Sequence, residues 1–161
     1  MAQEDFFLKI DGITGESQDD KHKDQIHLTS WSMGVANLGT GGSNLGSGGG
    51  RSNVQDLHFT KVIDKSSPNL FIACCTGKHF DTATITVRRA GENPQEYLTY
   101  DLTEVYVSSF NTSGHEGGEL AQESGSLNFS KITMTYTPQN DDGTPGAANP
   151  KTYDVKANKA S

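Results

Sequence analysis

Cysteine is almost missing from this 161-residue chain, and the two it has, Cys74 and Cys75, are adjacent. Neighbours in sequence cannot close a disulfide without severe strain. The pair therefore predicts a reducing compartment and a buried helix, with no metal site. Positive charge is also scarce: 13 Lys and Arg stand against 20 Asp and Glu, for a net charge of −7. No basic stripe exists to track a phosphate backbone, which excludes nucleic acid as a partner. The nearest thing to a charge run, "DDKHKDQ" at 19–25, alternates in sign and reads as a solvated loop. Long apolar runs are missing too, so nothing approaches a membrane span. The N-terminal "MAQEDFFLKI" has neither a basic region nor an apolar one. A chain of this kind is expected to be made in the cytoplasm and to leave, if it does, without a signal peptide, by a route that reads the folded protein.

What is there points to β structure. Apolar residues are 32% and mean hydropathy is −0.60, so the core must be lean. Charged residues are only 20%, too few for a disordered acidic chain. Length fits a single domain over 1–161. Alternating segments recur at 6–10, 26–35, 54–63, 83–90, 96–110, 126–139 and 152–157, with Phe6, Leu8 and Ile10 setting the first inward face. Turn chemistry in "DGITGE", "AGENPQ", "NTSGHEGG" and "NDDGTPG" separates them. One helix is predicted in "DKSSPNLFIACCTGKHF", over about 67–76: Ser67 as cap, Pro68 in the first turn, Gly77 past the end. Leu70 and Cys74, with Phe71 and Cys75 beside them, give it an apolar stripe.

The stretch "GTGGSNLGSGGGRS" at 39–52 holds much of the chain's 18 glycines. It does not fit a phosphate cradle, because Leu45 stands where the first glycine of G-x-x-x-x-G-K-[ST] is required and Arg51 where the lysine is. A strand-like "NVQDLHFT" follows it instead of a helix. It reads as a long loop, over about 37–53.

Three strands shift phase partway. Apolar positions move from Ile26/Leu28 to Trp31/Met33, from Leu98/Tyr100/Leu102 to Val105/Val107, and from Leu127/Phe129 to Ile132/Met134/Tyr136. Side chains alternate strictly along a strand, so each shift means either a bulge, as at barrel corners, or a strand leaving one covered surface for another. The second covered surface could be a further copy of the chain.

Catalytic constellations do not assemble. "GHEGGE" has Glu119 where a zinc-binding helix needs its second histidine, and its glycines oppose a helix. The histidines at 22, 27, 58, 79 and 115 are scattered, and there is no G-x-S-x-G elbow. Cys75 near His79 would sit at a helix C-terminus, where the dipole opposes a thiolate. No enzyme, cofactor or metal site is expected.

The residues together resemble a known family. "FFLKIDGITGESQDDKHKDQIHLTSWSMGV", the glycine-rich loop and "NVQDLHFTKVIDKSSPNLFIACCTGKHF" are similar to the haemolysin co-regulated protein (Hcp) family of type VI secretion. "EYLTYDLTEVYVSSF" and "LNFSKITMTYTPQ" match its later strands, so the likeness covers about residues 4–157. It implies a mainly β fold: a small β-barrel of two packed sheets with one short flanking helix. It further implies homohexameric rings stacked into an expelled tube, a spike protein at the tip, a contractile sheath, and small effectors carried in the lumen. With nothing after residue 161, the plain tube protein without a fused toxin domain is expected.

From that resemblance the glycine loop would reach a neighbouring subunit or ring. Leu38, Gly39, Gly41, Gly42, Leu45 and Gly48, with Gly91 in a turn, are the contact candidates. In "LTSWSMG", Trp31 and Met33 directed at packed surface would send Ser32 the other way. Ser30 and Ser32 are therefore the lumen candidates, the alternative being that they sit on an outer wall. Two other functions compete. A monomeric β-sandwich binding module, for example for carbohydrate, would need clustered exposed aromatics, whereas the lone Trp31 lies in an apolar strand. A hydrolase would need a site assembled from distant residues.

Overall fold

The computed structural model describes residues 3–37 and 52–161. In chain order the strands are β1 (Glu4–Ile10), β2 (Ile26–Leu28), β3 (Ser30–Ser32), β4 (Val35–Asn37), β5 (Ser52–Val54) and β6 (Leu57–Val62). Helix α1 (Ser67–Thr76) follows, then β7 (His79–Arg89), β8 (Gln95–Ser113), β9 (Gln122–Asn128), β10 (Lys131–Tyr136), β11 (Asn149–Asp154) and β12 (Lys159–Ala160). The fold is mainly β with one short helix.

Antiparallel pairing runs β2–β1–β7–β8–β9–β6–β3. Its two ends, β2 and β3, are consecutive pieces of one stretch of chain joined at Thr29, whose N–H bonds the Thr60 carbonyl at 2.9 Å. The path thus returns on itself and encloses a core built around Leu8, Ile26, Leu57, Ile85, Leu102 and Leu127. From β8 a flap of β10, β11 and β12 extends outward. The hairpin β4–β5 forms a separate two-stranded ribbon at the base of the glycine-rich segment.

The phase shifts fall at corners. On β8, Leu102 and Val105 are both buried, and on β7 so are Ala83 and Phe80 opposite them. Glu104 between them takes φ 53°, a left-handed conformation uncommon for a side chain of this kind. Here β8 exchanges its outer neighbour, pairing with β10 before the corner and β9 after it. The other two shifts are chain breaks: 26–35 divides into β2 and β3 at Thr29, and 126–139 into β9 and β10. A further bulge places Ser108 between paired Val107 and Ser109.

Helix α1 has the expected length, Pro68 in its first turn and Gly77 in the left-handed conformation at φ 65° past its end. Its cap is Ser66, not Ser67. Ser67 is already the first residue of the helix and is buried; its hydroxyl donates to Glu123 Oε2 at 2.7 Å and accepts from Lys61 Nζ and the Asp64 N–H, both at 3.0 Å. The buried stripe is Ser67, Leu70 and Ala73. Phe71 and Cys75, expected in the stripe, face outward, and Ile72 is also exposed. Every side of this helix carries apolar residues, so periodicity alone could not choose the buried one.

At its middle, β1 is covered on both faces. Leu8 and Ile10 enter the core as expected, and Phe7 on the opposite face is only 3% exposed. The segment 11–25 folds over it as a strap, with His22 stacked on the Phe7 ring at 4.4 Å and the Arg88 guanidinium 4.8 Å from the ring centre. The alternating-charge run is therefore only partly solvated. Asp19 bonds Arg88 at 2.5 and 2.9 Å, and His22 Nε2 meets Glu96 Oε1 at 2.6 Å. The strap's own backbone bonds include Gly15 N–H to the Asp24 carbonyl at 2.7 Å.

Candidate functional site

Strands β3, β6, β9 and β8 lie side by side, and alternation gives each a core face and an outer face. Cross-strand register builds two polar rows on the outer face. One is Ser30–Thr60–Ser124–Asn111, the other Ser32–His58–Ser126–Ser109. Between them on the core side run Trp31, Phe59, Gly125 and Phe110. Gly125 is required there, since a Cβ would lie 2.6 Å from Phe59 Cζ. The small residue lets the Phe59 ring cross beneath β9. The cleft above it measures about 330 Å³ and is walled by Ser30, Ser32, His58, Thr60, Ser109 and Ser124.

Hydroxyls within this surface are bound to one another. Thr60 Oγ1 lies 2.6 Å from both Thr29 Oγ1 and Ser30 Oγ, and Ser126 Oγ lies 2.7 Å from Ser108 and 2.6 Å from Ser109. At the edge of the face, Asp56 accepts from Ser108 at 2.6 Å and from the Asn128 amide at 2.8 Å. Such bonds fix side-chain rotamers while leaving lone pairs and protons for an incoming partner. Ser32 has no such partner among the described residues, and both it and Ser30 are exposed. Among the described residues no hydrogen bond joins the His58 ring to a hydroxyl of the cleft, and the wall presents hydrogen-bonding groups to whatever enters.

The structure brings Ser30 and Ser32 together on this face. Leu38, Gly39, Gly41, Gly42, Leu45 and Gly48 lie outside the described residues. Gly91 is far from the cleft in sequence and fold, in the exposed β7–β8 turn, with φ 153° and open space where a Cβ would stand. His79 packs against the Tyr106 ring at 5.3 Å, and Cys75 stands exposed on α1. Among the described residues no three His, Cys, Asp or Glu gather as a metal cluster, and no helix is long and apolar enough to cross a membrane.

Two features were missed from sequence. His58 lies at the centre of the cleft wall, where the register Ser32–His58–Ser126 puts it. On the opposite face of β6, Lys61 is fully buried: its Nζ bonds Glu123 Oε2 at 2.6 Å, Ser67 Oγ at 3.0 Å and Asp64 Oδ1 at 3.0 Å. The alternation Leu57–Phe59–Lys61 already placed that ammonium on the core side, so the signal was present.

Comparison with known proteins agrees with this architecture. Residues 7–136 match the sequence model of the family described as "Type VI secretion system effector, Hcp". Protein hcp1 of Pseudomonas aeruginosa is 46% identical over 140 residues, covering 86% of each chain. The crystal structure of Hcp1 from Salmonella typhimurium is 40% identical and superimposes with TM-score 0.81, covering 100% of both chains. A structure titled as a type six secretion system protein gives TM-score 0.93 at 30% identity, covering 99% of this chain and 100% of the other. The class is thus a β-rich protein of a bacterial secretion machine. Within it, the chain belongs to the Hcp family of the type VI secretion system.

Proposed function

We propose that this chain is the tube subunit of a type VI secretion apparatus: six copies close into a ring, rings stack into the expelled inner tube, and the hydroxyl-rich face lines the channel. The tube carries small effectors, is capped by a spike protein and driven by a contractile sheath, and is itself secreted. The observation that carries this reading, beside family membership, is the course of the apolar surface. Met134 and Tyr136 on β10 stand opposite Tyr100 and Leu98, on the face that forms the core, yet each is 45% exposed. An apolar strip that runs off the barrel onto a flap calls for a second surface to cover it. A contact between unlike surfaces closes into a ring when its rotation permits. The glycine-rich segment, with Leu38 to Gly48, and the turn at Gly91 would add contacts between subunits or rings.

Ser30 and Ser32 support the channel assignment through their setting, since a wettable wall of hydroxyls holds polar cargo without clogging. Native mass spectrometry of the purified chain should show a hexamer at micromolar concentration, and replacing Met134 and Tyr136 together by lysine should leave folded monomers. Monomer alone for the unaltered chain would overturn the ring. Ser32→Gln should preserve ring and export while lowering delivery of at least one small effector. Unchanged delivery with an intact ring would move this face to the outer wall.

A further inference from the structure

We propose that His58 makes the channel-lining face a pH-dependent binder of acidic protein surfaces, holding carboxylate-rich cargo more tightly as the pH falls below neutral. This rests on the reading that the face lines the channel. Among the described residues that wall the cleft, His58 is the single ionisable side chain; the remainder offer hydroxyls, an amide, aromatic edges and backbone. That is unusual for a chain with 20 Asp and Glu and a net charge of −7. No acidic residue walls the cleft, where the imidazole stands, and the carboxylate at the edge of the face, Asp56, is engaged by Ser108 and Asn128.

The surroundings leave His58 free to act on a ligand. On β3 it faces Ser32 and on β9 it faces Ser126, with Thr60 two residues on along its own strand and Asp56 just before that strand begins. Asp56 is the carboxylate at the edge of this face, and its two oxygens already accept from Ser108 and Asn128. Lys61 and Glu123 are the nearest charged residues on the core side, where they pair with each other. His79, at the start of β7, packs at a tilt against Tyr106 of β8. Imidazole is the side chain that changes charge near neutral pH. Protonation therefore converts an uncharged hydrogen-bonding wall into one with a cation at each repeat. In a closed ring the same cation recurs on every subunit, so several weak contacts act on one cargo at once.

The test uses the purified ring with a fluorescent hexaglutamate peptide and a neutral Gly-Ser peptide of equal length, read by anisotropy at about pH 6 and about pH 8. Hexaglutamate should bind about threefold or more tightly at the lower pH, with the gain lost at high salt, as expected for exposed charges. The neutral peptide should not respond. His58→Gln should abolish the gain, and His58→Lys should give strong hexaglutamate binding at both pH values. A gain kept in His58→Gln, or no hexaglutamate binding at the lower pH, overturns the proposal. The channel reading is judged separately, by ring mass and by the Ser32→Gln effect on delivery, so either idea can fail alone.

Discussion

Lys61→Met should be among the most damaging single substitutions in the barrel that leave backbone conformation untouched. The ammonium has no exposed surface, and its principal partner Glu123 has a side chain only 1% exposed. Methionine matches the aliphatic stem but leaves the Glu123 carboxylate buried with only the Ser67 hydroxyl for Oε2, while Oε1 has no hydrogen-bond partner even in the intact pair. Removing one member of a buried ion pair costs about 3–5 kcal/mol, because the other charge is left uncompensated. For a domain of this size each kcal/mol moves the midpoint by about 2–4 °C, so Tm should fall by about 6–20 °C. Replacing both partners, Lys61→Met with Glu123→Leu, should recover most of that loss, since apolar pairs of similar volume substitute for buried ion pairs at little cost. Urea unfolding followed by Trp31 fluorescence checks this, with all variants at one protomer concentration because ring formation adds mass-action stability. A single substitution costing less than about 1 kcal/mol, or a double variant no better than the single, would refute the assignment of Lys61 as a compensated buried charge.

Two further outcomes follow from local geometry. Gly125→Ala forces a Cβ to 2.6 Å from Phe59 Cζ and 3.1 Å from the Ser109 carbonyl, so it should cost about 1–3 kcal/mol in urea unfolding; neutrality would mean that β9 does not lie on that ring. Arg88 holds Asp19 below the usual carboxylate range, at about 2 against 3.8, so the strap's stabilisation is present above about pH 4 and is lost as the pH falls toward about 2. Asp19→Asn should therefore lower stability at neutral pH by about 1–2 kcal/mol and remove that part of the acid dependence; parallel acid titrations of variant and parent would contradict the clamp.

Much of the fold could be read from local patterns. Alternation located β1, β7 and β8, and Pro68 and Gly77 bounded α1, because strand faces and helix ends are set by sterics within a few residues. Phase shifts marked where strands turn, though pattern alone left open whether a bulge, a chain break or a partner caused each. The site was half legible: Ser30 and Ser32 followed from their position around Trp31, whereas His58 needed the register of β3, β6 and β9 to bring it between two serines.

What the sequence by itself determined was the side on which each residue of a strand stands, the helix bounds, and the family. Only the tertiary structure decided which of those sides is covered. Phe7 alternates away from the core yet is buried, because a strap from residues 11–25, pinned through Arg88 and His22, closes over it. Met134 alternates toward the core yet is exposed, because β10 pairs with β8 beyond the barrel's edge. Lys61 sits inside because Glu123, 62 positions away, is brought within 2.6 Å to meet it. Burial depends on which distant segments arrive at a face, and chain sterics at the face itself carry no record of their arrival.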